Sequence, residues 1–133
     1  MGFEGRIKPK RSLGQNFFVN KSLEKYIVDI VLKTAPIHIT EIGPGKGAFT
    51  KHFYVATKNV VVIERDEILA SALKCLYTNI HVHTADFLDI KLTNKQTTYF
   101  GSLPYNMSKP IIRKIITSDT FTKPAFFIID IQS

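Results

Sequence analysis

An apolar stretch, "IHITEIG" (37–43), runs straight into a segment with glycines at 43, 45 and 47, and a second apolar stretch, "NVVVIE", follows at 59–64. A strand ending in glycines, one short helix and another strand with no polar face predict a parallel crossover, because a strand buried on both sides reads as a continuous apolar run. The pattern repeats along the chain. Helices are expected from Asn20, an N-cap for a face of Leu23, Tyr26, Ile27, Ile30 and Val31 that Pro36 closes, from Ala48 to Ala56, over Ile68, Leu69, Ala72, Leu73 and Leu76, and from a Ser108 cap through Ile116. Further strands are expected at "IHVHTAD" (80–86), "TTYFGS" (97–102) and "PAFFIID" (124–130). This alternation predicts a doubly wound α/β fold with a mainly parallel sheet, whose ligands bind beyond the carboxyl ends of the strands.

The composition agrees with one soluble globular domain over 1–133: 44% of residues are hydrophobic and 22% charged. No apolar run approaches the roughly 20 residues that a membrane span needs, and no signal peptide opens the chain, so a cytoplasmic protein is expected. The single Cys75 has no partner for an internal disulfide and is expected to fill a helix face. Net charge is +7, and residues 1–19 form a basic arm with Arg6, Lys8, Lys10 and Arg11 against Glu4. A polyanionic partner would suit that balance. The chain stops at Ser133, directly after an apolar strand, and a sheet ending there would leave a hydrophobic edge; continuation beyond this point is therefore expected.

The unusual residues fall at strand ends. Gly43, Gly45 and Ala48 satisfy the G-x-G-x-x-G/A pattern, in which glycines let a ligand touch the backbone at a helix N-terminus. Glu64 follows Gly43 by 21 residues and ends the second strand, where a carboxylate accepts both hydroxyls of an adenosine ribose. Asp86 ends the third strand, where a carboxylate accepts from the exocyclic amine of adenine. Backbone, ribose and base contacts of this kind suit NAD and an adenosyl sulfonium alike. His81 and His83 share a strand face without a third ligand, so no metal site is expected; Asp66, Asp89 and Asp130 are read as strand-end or helix-start residues.

With "RSLGQNFFVN" (11–20), "EIGPGKGAFT" (41–50), "VVVIERD" (60–66), "TADFLDI" (84–90) and "GSLPYNMSKPII" (101–112) on the page, the chain resembles the ribosomal RNA adenine N6,N6-dimethyltransferases from about Lys10 to Ile131. The resemblance implies a Rossmann-like S-adenosyl-L-methionine-dependent methyltransferase, most simply a cytoplasmic monomer acting on small-subunit rRNA. It implies that Asn16 and Phe18 close over the cofactor, that Gly43 and Gly45 approach its methionine portion, and that Glu64 and Asp86 hold ribose and adenine. It further implies that Ser102, which also contacts the cofactor, and the Pro104 carbonyl accept the hydrogens of the target amine while Tyr105 stacks on the base. The chain departs from the family twice. The family's usual Asn-Leu-Pro-Tyr is Ser-Leu-Pro-Tyr here, and the last strands and a C-terminal helical domain are lacking. Two other functions keep the same elements: a non-catalytic RNA-binding ribosome-assembly factor, and an NAD-dependent oxidoreductase, which leaves "GQNF" and "LPYN" unexplained.

Overall fold

The computed structural model describes residues 20–57 and 59–131. Among these the order is α1 (Lys21–Leu32), β1 (Ile39–Ile42), α2 (Thr50–Ala56), β2 (Val60–Glu64), α3 (Glu67–Leu76), β3 (His81–Thr84), a 3-10 turn (Phe87–Asp89), β4 (Thr98–Pro104), α4 (Tyr105–Ile116) and β5 (Ala125–Asp130). The five strands form one sheet in the order β3-β2-β1-β4-β5, every neighbouring pair parallel. The expected α/β fold is therefore present. Strand order reverses between β1 and β4, which opens a crevice at their carboxyl ends.

Side-chain alternation divides the interior into two cores. Ile39, Val60, Val62 and Phe100 face Val28 and Val31 of α1, Phe53 of α2 and Leu73 of α3. One residue out of phase, Ile42, Ile63, Tyr99 and Leu103 face Phe87 of the 3-10 turn and Ile111 and Ile115 of α4. β5 is the edge of the described sheet and is half-buried, with Ile129 exposed and Ile131 exposed directly after it, so the expected apolar edge is present.

Several expected faces are rotated. α1 is capped by Asn20 as predicted, its side chain accepting from the Leu23 N–H at 3.0 Å. Yet α1 buries Glu24, Val28 and Val31 and leaves Leu23, Tyr26 and Ile30 exposed. Glu24 reaches the interior because α2 supplies its partners: Lys51 Nζ at 3.3 Å and His52 Nε2 at 2.9 Å. α3 likewise buries Ala70 and Leu73 while Ile68, Leu76 and Cys75 stand exposed. Cys75 therefore does not pack into the core. Asp66 caps α3, its Oδ1 accepting from the N–H groups of Ile68 and Leu69. Ser108 is not a cap. α4 begins three residues earlier, directly after Pro104, whose φ of −67° and ψ of 151° place it at the N-cap. Ser108 is buried inside the helix, and its Oγ donates to the Tyr105 carbonyl at 2.8 Å. α2 begins at Thr50 rather than Ala48, because the glycine segment first completes a turn in which the Gly47 N–H donates to the Pro44 carbonyl at 2.9 Å.

Candidate active site

The carboxyl ends of β1, β2 and β4 and the loop after β3 enclose a cavity of about 300 Å³. Its walls include Gly43, Gly45, Glu64, Asp86, Ser102 and Pro104. Six residues chosen from four sequence motifs thus share one space. Tyr105 is not on the wall. It stands 64% exposed as the first residue of α4, immediately after Pro104, at the rim. Asn16 and Phe18 lie outside the described residues.

The glycine turn is bound to the acid that follows it. Gly45 takes φ +59°, a conformation that disfavours any side chain, and its N–H donates to Glu64 Oε1 at 3.2 Å. Glu64 Oε2 accepts from the Asp66 N–H at 2.9 Å. Each oxygen keeps acceptor capacity beyond these bonds, which is what a pair of ribose hydroxyls requires. Burial pushes the Glu64 carboxyl above its ordinary range, and the two backbone N–H groups pull in the other direction. Gly43 has φ +65°, and a Cβ built on it would lie 3.8 Å from the Ser102 carbonyl oxygen, so the turn and the end of β4 face each other.

Asp86 serves the protein as well as the cavity. Its Oδ1 accepts from the Leu88 N–H at 2.9 Å and so caps the 3-10 turn, while Oδ2 lies 3.7 Å from Arg65 Nη1. Half-buried, the carboxylate has its second oxygen directed at the Arg65 guanidinium. Among the described residues no group of three His, Cys, Asp or Glu could hold a metal ion, and His81 and His83 lie exposed on the edge strand β3.

A carboxylate at each of two adjacent strand ends, a side-chain hydroxyl at a third and an apolar floor of Leu103, Met107 and Ile111 fit an adenosine-bearing ligand. That arrangement alone leaves the ligand's reactive group open. The model of the ribosomal RNA adenine dimethylase family matches residues 6–132. The chain belongs to that family.

Among the relatives of this adenine dimethylase family member, a ribosomal RNA small subunit methyltransferase A from Malacoplasma penetrans (strain HF-2) is 38% identical, over 89% of this chain and 45% of its own length. The protein of the same name from Francisella tularensis subsp. tularensis (strain WY96-3418) is 32% identical, over 93% of this chain and 51% of its own. The chain therefore spans about half the length of these curated relatives. A dimethyladenosine transferase from Plasmodium falciparum superposes with a TM-score of 0.66 at 27% identity, over 80% of this chain and 42% of that one. The 23S rRNA methyltransferase ErmE, at 22% identity, shows the same fold with a TM-score of 0.74, over 88% of this chain and 49% of its own.

Sequence reasoning missed part of this family member's site. Arg65, Phe87 and Met107 also line the cavity. Arg65 directly follows the strand-end acid and Phe87 directly follows Asp86, so adjacency to a motif was the available signal. Met107 faces the cavity only because α4 begins at Tyr105, a boundary the sequence placed later.

Proposed function

We propose that the chain forms the cofactor-binding and base-binding part of an S-adenosyl-L-methionine-dependent enzyme that methylates the exocyclic N6 of adenine in ribosomal RNA, that of the small subunit, as a cytoplasmic monomer. The observation that carries this reading is the convergence of Gly45, Glu64, Asp86 and Ser102 on one cavity with Pro104 and Tyr105 at its edge.

S-adenosyl-L-methionine, when bound, supplies an electrophilic methyl group on a sulfonium. Glu64 would hold the ribose hydroxyls, Asp86 the adenine amine, and Gly43 and Gly45 would admit the methionine portion against bare backbone. Asn16 and Phe18 would close over it. The target amine is a weak nucleophile because its lone pair is delocalised into the ring. Ser102 Oγ and the Pro104 carbonyl would accept its two hydrogens and favour a pyramidal nitrogen, and Tyr105 would stack on a base taken out of its helix. Held in this way, the amine nitrogen would take the methyl group in exchange for the carbon–sulfur bond and lose its proton to solvent, and because the sulfide released would be neutral the chain would need no general acid.

One observation supports a second reading. Ser102, where the family usually has Asn, places a shorter side chain at the decisive position, which suits an RNA-binding assembly factor that keeps the fold without the chemistry. Incubation with labelled methyl donor and either naked small-subunit rRNA or assembled subunits separates the two. Dimethyladenine in the digested RNA supports the enzyme; RNA binding with no methylated product supports the assembly factor. Calorimetric binding of NAD but not S-adenosylhomocysteine would return the oxidoreductase reading.

A further inference from the structure

The crossover from β3 to β4 contains no α-helix, only the Phe87–Asp89 turn and an irregular stretch as far as Thr97. Such a segment has carbonyls that neither helix nor sheet satisfies, and buried carbonyls need partners. Lys114 of α4 supplies them. Its Nζ donates to the Phe87 carbonyl at 2.6 Å and to the Ile90 carbonyl, and it stands 5.1 Å from the centroid of the Phe87 ring.

Lys114 thus spans the turn from its first residue to the residue after its last, and Asp86 holds its start as well. Its carboxylate accepts from the Leu88 N–H, and its main-chain carbonyl accepts from the Asp89 N–H at 2.9 Å. The turn is therefore locked at its start by the residue that reaches into the cavity and along its length by a side chain from α4. Phe87 and the α4 residues Ile111 and Ile115 belong to one buried cluster, which gives the lock an apolar backing. The helix that provides Lys114 begins with Tyr105 at the cavity rim. One ammonium thus joins the adenine end of the cavity to the element that would stack the target base.

We propose that Lys114 is a positioning residue: by holding the 86–90 turn against α4 it keeps the Asp86 carboxylate aimed at the cofactor's adenine amine. The inference rests on the cofactor reading above. Its partly buried position makes the charge costly, and burial lowers the ammonium's pKa while Asp89 and Asp86 raise it. The two carbonyl bonds and the ring are what offset that cost.

Calorimetric titration of the full chain with S-adenosylhomocysteine tests it. Lys114→Met keeps the aliphatic stem and removes the donors, and should weaken binding roughly tenfold, the worth of one charge-assisted hydrogen-bond set. Lys114→Arg, whose fork also reaches two carbonyls, should restore affinity to within about threefold of wild type. Because Lys114 acts through Asp86, adding Lys114→Met to Asp86→Ala should weaken binding no further than Asp86→Ala alone. Turnover at saturating cofactor should fall less than affinity. Thermal melts of each variant set a common titration temperature at which all of them are folded, so that a loss of affinity is read on the folded chain. A Met variant that binds as tightly as wild type, or losses that add in the double variant, overturns this inference alone. A wild-type chain that binds no S-adenosylhomocysteine overturns the cofactor reading and this inference with it.

Discussion

Ser102 lies within β4, paired with Ile128 of β5 on one side, and one residue beyond Gly101, the last β4 residue in register with β1, so it stands beside the glycine turn. Half-buried on the cavity wall, its hydroxyl has one donor and two acceptor lone pairs, enough to accept one amine hydrogen. It lacks the reach of an amide. A misplacement of the reacting nitrogen by about 1 Å costs on the order of 10²-fold in rate, so under the proposed function this side chain would govern turnover more than affinity. Ser102→Ala should lower single-turnover methyl transfer while S-adenosylhomocysteine affinity changes much less. Ser102→Asn should raise the rate, by roughly tenfold or more if the amide restores the geometry. Equal rates for all three side chains in a rapid-quench assay would remove Ser102 from the chemistry.

At the scale of elements, α1 is docked on α2 by a buried charge. Glu24 is 1% exposed, and of its oxygens Oε1 takes both Lys51 and His52 while Oε2 has no hydrogen-bond partner among the described residues. Burial raises the carboxyl's pKa, but the hydrogen bonds from His52 and Lys51 and the lysine charges outweigh it and bring the value lower than usual. Glu24→Ala should destabilise the chain by about 1–3 kcal/mol in urea denaturation, toward the lower end because Lys51 and His52 regain water. Glu24→Gln should cost less, since its amide still accepts from His52 and its NH₂ group is a donor. The same pair of helices shows what the sequence could reveal. Spacing located α1 and α3, and caps such as Asn20 and Asp66 marked their starts, because both signals are local. Which side of each helix turns inward is not local: α2 brings Lys51 and His52 to Glu24 and so lets a carboxylate be buried, while Ile68, expected on the apolar face of α3, stands exposed and Ala70 is buried instead. Most of the candidate site was legible for the opposite reason. In a parallel sheet every strand end of one polarity meets at one edge, so Gly45, Glu64, Asp86 and Ser102 could be grouped from strand order alone. Lys114 could not, because its partners are carbonyls 24 and 27 residues away in a segment with no regular structure.

For the molecule as a whole, the decisive buried acid is Glu41. It lies on β1 beneath the glycine turn, 1% exposed, with Oε1 accepting from Thr50 Oγ1 at 2.6 Å. Burial pushes its carboxyl up to about 8; the Thr50 bond opposes this and the nearby Glu64 carboxylate adds to it. The folded chain therefore keeps a proton on Glu41 that the unfolded chain releases near the ordinary glutamate value of 4.5. Between these limits the native state binds more protons than the unfolded state, so this group's contribution to stability is full below about 4.5 and is lost as pH rises through about 8. The slope it imposes reaches about 1.4 kcal/mol per pH unit at most. His38 acts in the opposite sense: burial, and then the charge of His81, depress its pKa, so its contribution is lost as pH falls. The total curve mixes both, and the informative quantity is a difference. Glu41→Gln keeps the acceptor for Thr50 and removes the titration. Relative to wild type, the variant should gain stability steadily from pH 5 to pH 8, measured as the difference in urea unfolding free energy at each pH. A constant difference across that range would show that Glu41 is ionised in the folded chain, and with it that the interior under the glycine turn is far better hydrated than its burial implies.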